Sequence, residues 1–207
     1  MPIMTPVMPS VAKRSLMESS TRDRLLQAAM DVFAERGYHG TTVDDIVGAS
    51  ETSKGAFYHY FPSKQGIFLN LLDQLAEMVE SSVEAAIGTG EGALAKVEAA
   101  LRVVLEVAST HRDLARILLI ESAALGPEFE QSRIGIHRRF AALIRRHLDR
   151  AVAERAIPPQ DTQAAAMAWI GAINEILTQE LARGGDLMAT LPTLRTLLLR
   201  SIGAKAE

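Results

Sequence analysis

Apolar residues recur along most of the chain at intervals of three and four positions, the spacing that places them on one face of an α-helix. No long stretch alternates with a period of two, which would indicate a strand. Glycine and proline divide the pattern into nine segments: residues 21–36, 43–49, 53–61, 64–87, 93–109, 112–125, 127–155, 161–183 and 191–202. The sequence therefore predicts an all-α fold of about nine helices.

The first three helices carry signals for where they begin and end. Ser20 and Asp23 have the spacing of a capping box, in which a hydroxyl and a carboxylate close the first turn of a helix. Thr42 and Asp45 repeat that spacing, and Gly37 stands where a left-handed C-terminal cap is expected. The two segments that follow are too short to be stable alone, so they must pack on the first helix. This arrangement predicts a helix-turn-helix, whose second short helix enters the major groove of DNA.

The side chains of the two short helices separate into an inner and an outer set. The inner set is apolar or aromatic and is predicted to face the first helix: Val43, Ile46, Val47, Ala56, Phe57, Tyr60 and Phe61. The outer set is small, cationic or hydrogen-bonding, which suits phosphates and base edges: Ser53, Lys54, Gly55, Tyr58 and His59. Thr42 and Lys64 stand at helix N-termini, where N–H groups and the helix dipole attract a phosphate. These seven residues are the predicted DNA contacts, with Ser53 favoured for a base.

The stretch from residue 21 to residue 64 resembles the TetR (tetracycline repressor-like) family of bacterial transcription regulators. It contains Val-Phe-Ala-Glu-Arg-Gly-Tyr at 32–38, Gly-Thr-Thr-Val at 40–43 and Ser-Lys-Gly-Ala-Phe-Tyr-His-Tyr-Phe at 53–61. One departure lies in the turn, where Glu51 replaces the usual glycine and Thr52 replaces an apolar residue. An acidic side chain close to phosphates opposes DNA binding.

The resemblance implies an all-helical subunit with a divergent C-terminal domain that forms a homodimer and binds a ligand. The expected division is an N-terminal arm at 1–20, a helix-turn-helix DNA-binding domain at 21–65 and a ligand-binding and dimerisation domain at 66–207. The expected function is a cytoplasmic repressor released from a near-palindromic operator by a small hydrophobic effector. Residues 116–122 and 171–177 resemble the regulators that sense fatty acyl compounds, so an acyl effector is the first expectation. A ligand-insensitive architectural DNA-binding protein is the alternative.

The C-terminal half offers candidate residues for both implied roles. Large apolar side chains at helical spacing are predicted to line a ligand cavity, although the same pattern is typical of plain core: Leu118, Phe140, Ile144, Met167, Trp169 and Ile173. Small residues in the helix from 161, and an apolar face on the last helix, predict a four-helix dimer contact, with packing inside one subunit as the alternative: Ala165, Ala168, Ala172, Leu194 and Leu198.

Composition narrows the alternatives further. The 207 residues are 48% hydrophobic and 23% charged, with a net charge of -3, so any DNA-binding surface must be a local arrangement of cations. There is no cysteine, which excludes disulfides and thiol chemistry and agrees with a cytoplasmic location. The histidines and carboxylates lack the spacings of helical metal sites, and no phosphate-binding glycine loop or nucleophile motif occurs. No enzyme activity, metal, cofactor or membrane span is therefore predicted, and the proline-containing first 20 residues are expected to form an arm rather than a secretion signal.

Overall fold

The computed structural model describes residues 20–89 and 92–204, and every regular element within these ranges is helical. The helices are α1 (Thr21–Gly40), α2 (Val43–Ala49), α3 (Lys54–Tyr60), α4 (Lys64–Thr89), α5 (Gly92–Thr110), α6 (Arg112–Arg116), α7 (Ser122–Leu125), α8 (Pro127–Ala153), α9 (Thr162–Arg183) and α10 (Leu191–Ser201). A π-helical segment, Ile117–Glu121, joins α6 to α7, and a 3-10 turn, Met188–Thr190, precedes α10. If α6 to α7 are counted as one interrupted helix, the described residues form the nine predicted helices. The all-α prediction is confirmed, whereas residues 1–19 of the predicted arm lie outside the described ranges.

The predicted capping boxes are present at the N-termini of α1 and α2. The Ser20 hydroxyl accepts a hydrogen bond from the backbone N–H of Asp23 at 3.2 Å, and the Asp23 carboxylate accepts one from the backbone of Ser20. Thr42 and Asp45 form the same reciprocal pair. Hydrogen bonds from Thr42 lower the pKa of the Asp45 carboxyl, with the Arg36 guanidinium adding to the effect. Both helices therefore begin where the sequence predicts.

The end of α1 differs slightly from the prediction. Helical structure continues to Gly40, but the backbone breaks at Gly37, where φ is 69° and ψ is 173°. The buried Thr41 hydroxyl donates to the Gly37 carbonyl at 2.8 Å and thereby holds the break in place. Glycine is needed at this position because a positive φ is unfavourable for residues with a Cβ atom.

An aromatic cluster forms the core of the N-terminal unit. Phe33 and Phe68 are fully buried, with ring centroids 4.9 Å apart in an edge-to-face arrangement. Tyr38 packs against Phe68 at 5.1 Å and against Phe129 of α8 at 5.0 Å. Edge-to-face pairs add to the burial of apolar area, so this cluster fixes α1 on α4 and α8.

A second core lies in the C-terminal half, where α10 packs against α5 and α9. Leu194 and Leu198, two predicted dimer residues, are 0% and 1% exposed within the single subunit. Both leucines are therefore covered inside the subunit, whereas Leu197 of the same helix is 47% exposed. The Trp169 indole N–H donates to the Ser201 hydroxyl at 2.9 Å and ties α9 to the end of α10.

The helix predicted at 112–125 is interrupted by the π-helical segment at its centre. Leu114 and Ile117 are buried in the N-terminal core, whereas Leu119 and Ile120 pack against the second core. A π turn holds an extra residue within one turn of helix, so it rotates the residues that follow. The interrupted helix thus contributes to two cores. No described helix is both long and apolar enough to cross a bilayer.

Candidate DNA interface and ligand cavity

Helices α2 and α3 are joined by a tight turn held by hydrogen bonds. The Thr52 N–H donates to the Val47 carbonyl at 3.2 Å, and the Glu51 N–H donates to the Gly48 carbonyl at 3.3 Å. Glu51 has a φ of 52°, the left-handed conformation that explains why a glycine is usual there in the family it resembles. The Thr52 and Ser50 hydroxyls are 2.8 Å apart and hydrogen-bonded. Hence the turn keeps a left-handed geometry even with an acidic residue at its centre.

The outward face of α3 contains the residues predicted for it. Ser53, Lys54, Gly55, Tyr58 and His59 are all exposed, and the Tyr58 ring is 55% accessible. The Ser53 hydroxyl caps α3 by accepting a hydrogen bond from Ala56 N–H at 3.1 Å. A Cβ added to Gly55 would meet no atom closer than 3.7 Å, so packing within the subunit does not require glycine at that site.

One residue of α3 does not follow the predicted division. Phe57 and Phe61 are buried as expected, but Tyr60 is 41% exposed. At about 100° per residue, Tyr60 lies about 60° away from Phe57 around the helix, at the border of the buried face. The prediction that Tyr60 faces α1 is therefore wrong, and its ring adds to the exposed surface beside His59.

The charges around this surface are partly paired with one another. The Lys54 ammonium lies 2.8 Å from the Asp44 carboxylate, which raises the pKa of Lys54. Arg36 lies 2.7 Å from Asp45. Sequence reasoning missed both pairs, although Asp44 and Asp45 are visible in the first turn of α2. A phosphate that approaches Lys54 must compete with Asp44.

Two of the predicted phosphate contacts are engaged inside the protein. The Lys64 ammonium donates to the Tyr38 carbonyl at 2.8 Å and to the Thr41 carbonyl at 2.7 Å, and it lies 4.5 Å from the centre of the Tyr38 ring. Burial lowers the pKa of Lys64. The Thr42 hydroxyl donates to the Asp45 carboxylate at 2.6 Å. Two of the three N–H groups of Lys64 thus bind the α1–α2 connection, and its phosphate contact stays a prediction.

A cavity of about 430 Å³ lies in the C-terminal half, enclosed by α4, α5, α6, α8 and α9. Its walls are almost entirely aliphatic and aromatic, and five of the six residues predicted for it lie in the lining: Leu118, Phe140, Ile144, Trp169 and Ile173. Met167 does not, because its side chain is 61% exposed on the outer side of α9. The Met167 prediction is corrected: it lies two residues before Trp169, which places it on the opposite face of the helix.

A polar pair interrupts the apolar wall. The Asn174 amide lies 3.0 Å from His137 Nε2, and an Arg133 guanidinium nitrogen lies 3.4 Å from His137 Nδ1. Burial and the nearby Arg133 lower the pKa of His137, which favours the neutral imidazole. The Asn174 amide nitrogen is the atom that faces Nε2, so both it and the Arg133 guanidinium are hydrogen-bond donors directed at the imidazole. Sequence spacing does not relate α8 to α9, so this pair could not be predicted.

The small residues predicted for the dimer contact have different environments. Ala168 is exposed, whereas Ala165 and Ala172 are half-buried and pack towards the second core. The outer faces of α8 and α9 instead form an open groove that contains Met167 and the exposed Ala142 and Gly171.

Together, the helix-turn-helix and the separate apolar cavity define the class of all-helical helix-turn-helix proteins with a ligand-sized chamber. Residues 25–71 match the family model "Bacterial regulatory proteins, tetR family", and residues 90–178 match "Tetracyclin repressor-like, C-terminal domain". The two matches together cover more than half of the chain, which therefore belongs to the TetR family.

Individual relatives match over shorter stretches. The transcriptional regulator RutR of Escherichia coli (strain K12) is 29% identical over 118 residues, which are 57% of this chain and 55% of RutR. TcmR of Streptomyces glaucescens is 33% identical over 101 residues, 49% of this chain and 43% of TcmR. The chain thus spans about half the length of the curated relatives it matches.

Solved structures match over most of the chain. FadR from Bacillus halodurans has a TM-score of 0.76 at 20% identity and covers 86% of this chain and 97% of its own. FadR from Bacillus subtilis, solved in complex with stearoyl-CoA, has a TM-score of 0.75 at 22% identity, covering 84% and 96%. At these identities the likeness shows a shared fold.

Proposed function

We propose that the chain is a ligand-responsive transcriptional repressor that binds operator DNA as a homodimer and is released by a small hydrophobic effector. The observation that carries the proposal is the position of the π-interrupted helix. Leu114 and Ile117 pack in the same core as Phe33 and Phe57 of the helix-turn-helix, and the adjacent Leu118 lines the cavity. Occupation of the cavity therefore acts on side chains that support the DNA-binding surface.

The proposed DNA contacts are the exposed residues of α3 together with the α2–α3 turn. Phosphates can be bound by the cation of Lys54 and by the hydrogen-bonding groups of Tyr58 and His59. Close approach to base edges is possible at the small residues Ser53 and Gly55. Family membership supports this assignment. The DNA-binding unit at residues 21–65 and the ligand-binding unit at 66–207 share α4, which crosses that boundary without a break.

The groove on α8 and α9 is the proposed dimer surface. Met167 is a large apolar side chain left exposed in it, and Gly171 allows close approach of a second helix. An added Cβ at Gly171 meets nothing within 4 Å in the subunit, so a Gly171→Arg variant should fold but dissociate. Ala182→Arg, at an exposed position of the same helix outside the groove, is the control. Sedimentation that shows an intact Gly171→Arg dimer would place the interface elsewhere.

The effector is proposed to be a lipid-like compound, with acyl compounds as the first candidates. The aliphatic cavity supports this class, as does the fold shared with FadR of Bacillus subtilis, whose structure contains stearoyl-CoA. A cytoplasmic location and the lack of enzyme activity remain predictions.

Selection from a random duplex library tests the proposal. We expect a near-palindromic site whose half-sites are about 34 Å apart, one helical turn, because two recognition helices of a dimer must meet the groove together. Acyl compounds should then release this DNA, and the DNA should weaken acyl binding by the same factor. Failure to select any site would overturn the repressor assignment. Selection of a site that no acyl compound releases would favour the architectural alternative or another effector class.

A further inference from the structure

The exposed residues of the cavity lining lie together at one end of the cavity. Among the many residues that line it, the exposed ones are Gly92, Arg150, Glu154 and Ala156. All four lie at the start of α5 or near the C-terminus of α8, which meet at the same end of the subunit. Every other lining residue is buried or half-buried, which supports an entrance between these two helices.

Cations are concentrated at this opening. Lys96 and Arg150 line it, and neither lies within 4 Å of any carboxylate in the part of the chain that the structure describes. Burial and the charges of Arg146, Arg150 and Lys96 lower the pKa of His147. Arg146 is paired with Glu84, which also accepts from His147.

One acid, Glu154, also lies at the opening, on the same helix as Arg150. No ion pair joins Glu154 to a described cation, and among the described residues that line the opening Lys96 and Arg150 outnumber this one acid. Charges at the mouth of a cavity with low-dielectric walls attract a counter-ion more strongly than the same charges on an open surface, because the walls focus the electric field.

The interior extends far from these charges. Lining residues on α4 run from Ile87, near the opening, to Leu72, a distance of about 22 Å at 1.5 Å per residue. A volume of about 430 Å³ spread along that length is an elongated cavity. The far end lies beside Leu114 and Leu118, next to the helix-turn-helix core. This shape suits a flexible chain better than a broad fused ring.

We propose that the effector is an anionic amphiphile whose charged head binds Lys96 and Arg150 at the opening while its alkyl chain reaches towards Leu118. This inference rests on the proposed function, since it specifies the chemistry and the orientation of that effector. The head group remains at the solvent boundary, where the two cations balance its charge. The alkyl chain leaves water and packs against the aliphatic walls of the cavity. A carboxylate and the phosphates of a coenzyme A thioester supply the same chemistry.

Direct binding to the full chain tests the inference without DNA. Trp169 is the only tryptophan of the sequence and lines the cavity, so its fluorescence reports occupancy. The probes are dodecanoate, lauroyl-CoA and 1-dodecanol, which differ in the head and share a chain length. At low salt, we expect the affinity of both anions to exceed that of the alcohol by about ten-fold or more. This difference in affinity should shrink at higher salt, because ions screen the charge of the head group. The anion that binds more tightly identifies the head group, a carboxylate in dodecanoate or the phosphates of coenzyme A in lauroyl-CoA.

Variants locate the head group. Lys96→Gln combined with Arg150→Gln should weaken binding of the preferred anion by about ten-fold and leave dodecanol binding nearly unchanged. Arg102→Gln removes an exposed cation from the same helix as Lys96 but outside the cavity, and it should change neither affinity. Retained dodecanol binding by the double variant shows that the cavity is still formed.

The contrary outcomes are distinct. Equal binding of dodecanoate, lauroyl-CoA and dodecanol, or an unchanged anion affinity in the double variant, overturns the head-group assignment while the repressor proposal stands. No fluorescence response to any probe overturns the inference and the acyl part of the proposed function together. Neither result would affect the selection of an operator, so the DNA-binding part of the proposed function is tested separately.

Discussion

The N-terminal unit and the C-terminal half differ in how completely their interiors are filled. Around Phe33 and Phe68 the rings are in contact on all sides, and both side chains are fully buried. In the C-terminal half, Phe140 and Ile144 are only half-buried because they border a cavity. A DNA-reading surface must hold its groups in fixed positions, whereas an effector site must keep space for a ligand. The same kind of helical chain therefore uses close packing in one region and incomplete packing in the other.

The two regions meet at the π-helical segment and along α4. Arg139 of α8 reinforces this junction through ion pairs to Asp73 and to Glu80, the latter at 2.8 Å. A ligand can shift the orientation of α3 only if it binds the two arrangements with different affinity. The packed N-terminal core supplies the rigid body that such a shift would move.

The largest expected effect on stability comes from replacing a phenylalanine by alanine, and the same substitution can be compared in the two regions. Phe68→Ala should lower the free energy of unfolding by about 3–5 kcal/mol, because it leaves a cavity among three aromatic rings. Phe140→Ala should cost less than about 2 kcal/mol, since its ring already borders empty space and buries less area. Urea denaturation of both variants measures the difference. Equal losses would show that the cavity wall is as tightly packed as the N-terminal core.

A second comparison concerns Lys54 and Lys64, which the sequence predicts to be DNA contacts of the same kind. Lys64→Met should destabilise the protein by about 1.5–3 kcal/mol, because two carbonyls lose a charged donor. Lys54→Met should leave stability nearly unchanged and reduce the salt dependence of DNA binding by about one counterion. Thermal unfolding and operator titrations at several salt concentrations provide the two readouts. A Lys64→Met protein of normal stability with a reduced salt slope would show that Lys64 acts on DNA and not on the stability of the subunit.

The cavity can be filled to sharpen the contrast between regions. Val104 is half-buried in the cavity wall, so Val104→Phe should occupy part of the space that a ligand needs. We expect effector affinity to fall by about ten-fold or more, with a stability change below about 1.5 kcal/mol and operator binding retained. Anisotropy of labelled operator with increasing dodecanoate measures release. Undiminished release by the effector would mean that Val104 does not border the occupied part of the cavity.

The features predictable from the sequence are those set by neighbours along the chain. The capping boxes, the positive φ at Gly37 and the outward face of α3 all depend on residues within a few positions of each other. The inward turn of Lys64 depends on carbonyls 23 and 26 positions away, and the burial of Leu194 depends on where α5 lies. Such contacts are decided by tertiary packing, which a helical period cannot specify. The exposed faces of single helices were therefore easier to predict than the surfaces they share.

The smallest expected effect concerns Glu51, where charge and backbone strain are combined in one residue. Its φ of 52° is unfavourable for a side chain with a Cβ atom, so Glu51→Gly should stabilise the protein by about 0.5–1 kcal/mol after the entropy cost of glycine is included. Glu51→Gln keeps the strain and removes only the charge, so it should leave stability unchanged. Both variants should bind the operator more tightly at low salt if Glu51 faces phosphates, because each removes a repulsive charge. Chemical denaturation and operator titration of the pair separate the two contributions. If glutamine and glycine stabilise equally, the left-handed turn carries no strain; if neither improves DNA binding, the Glu51 carboxylate lies away from the phosphates.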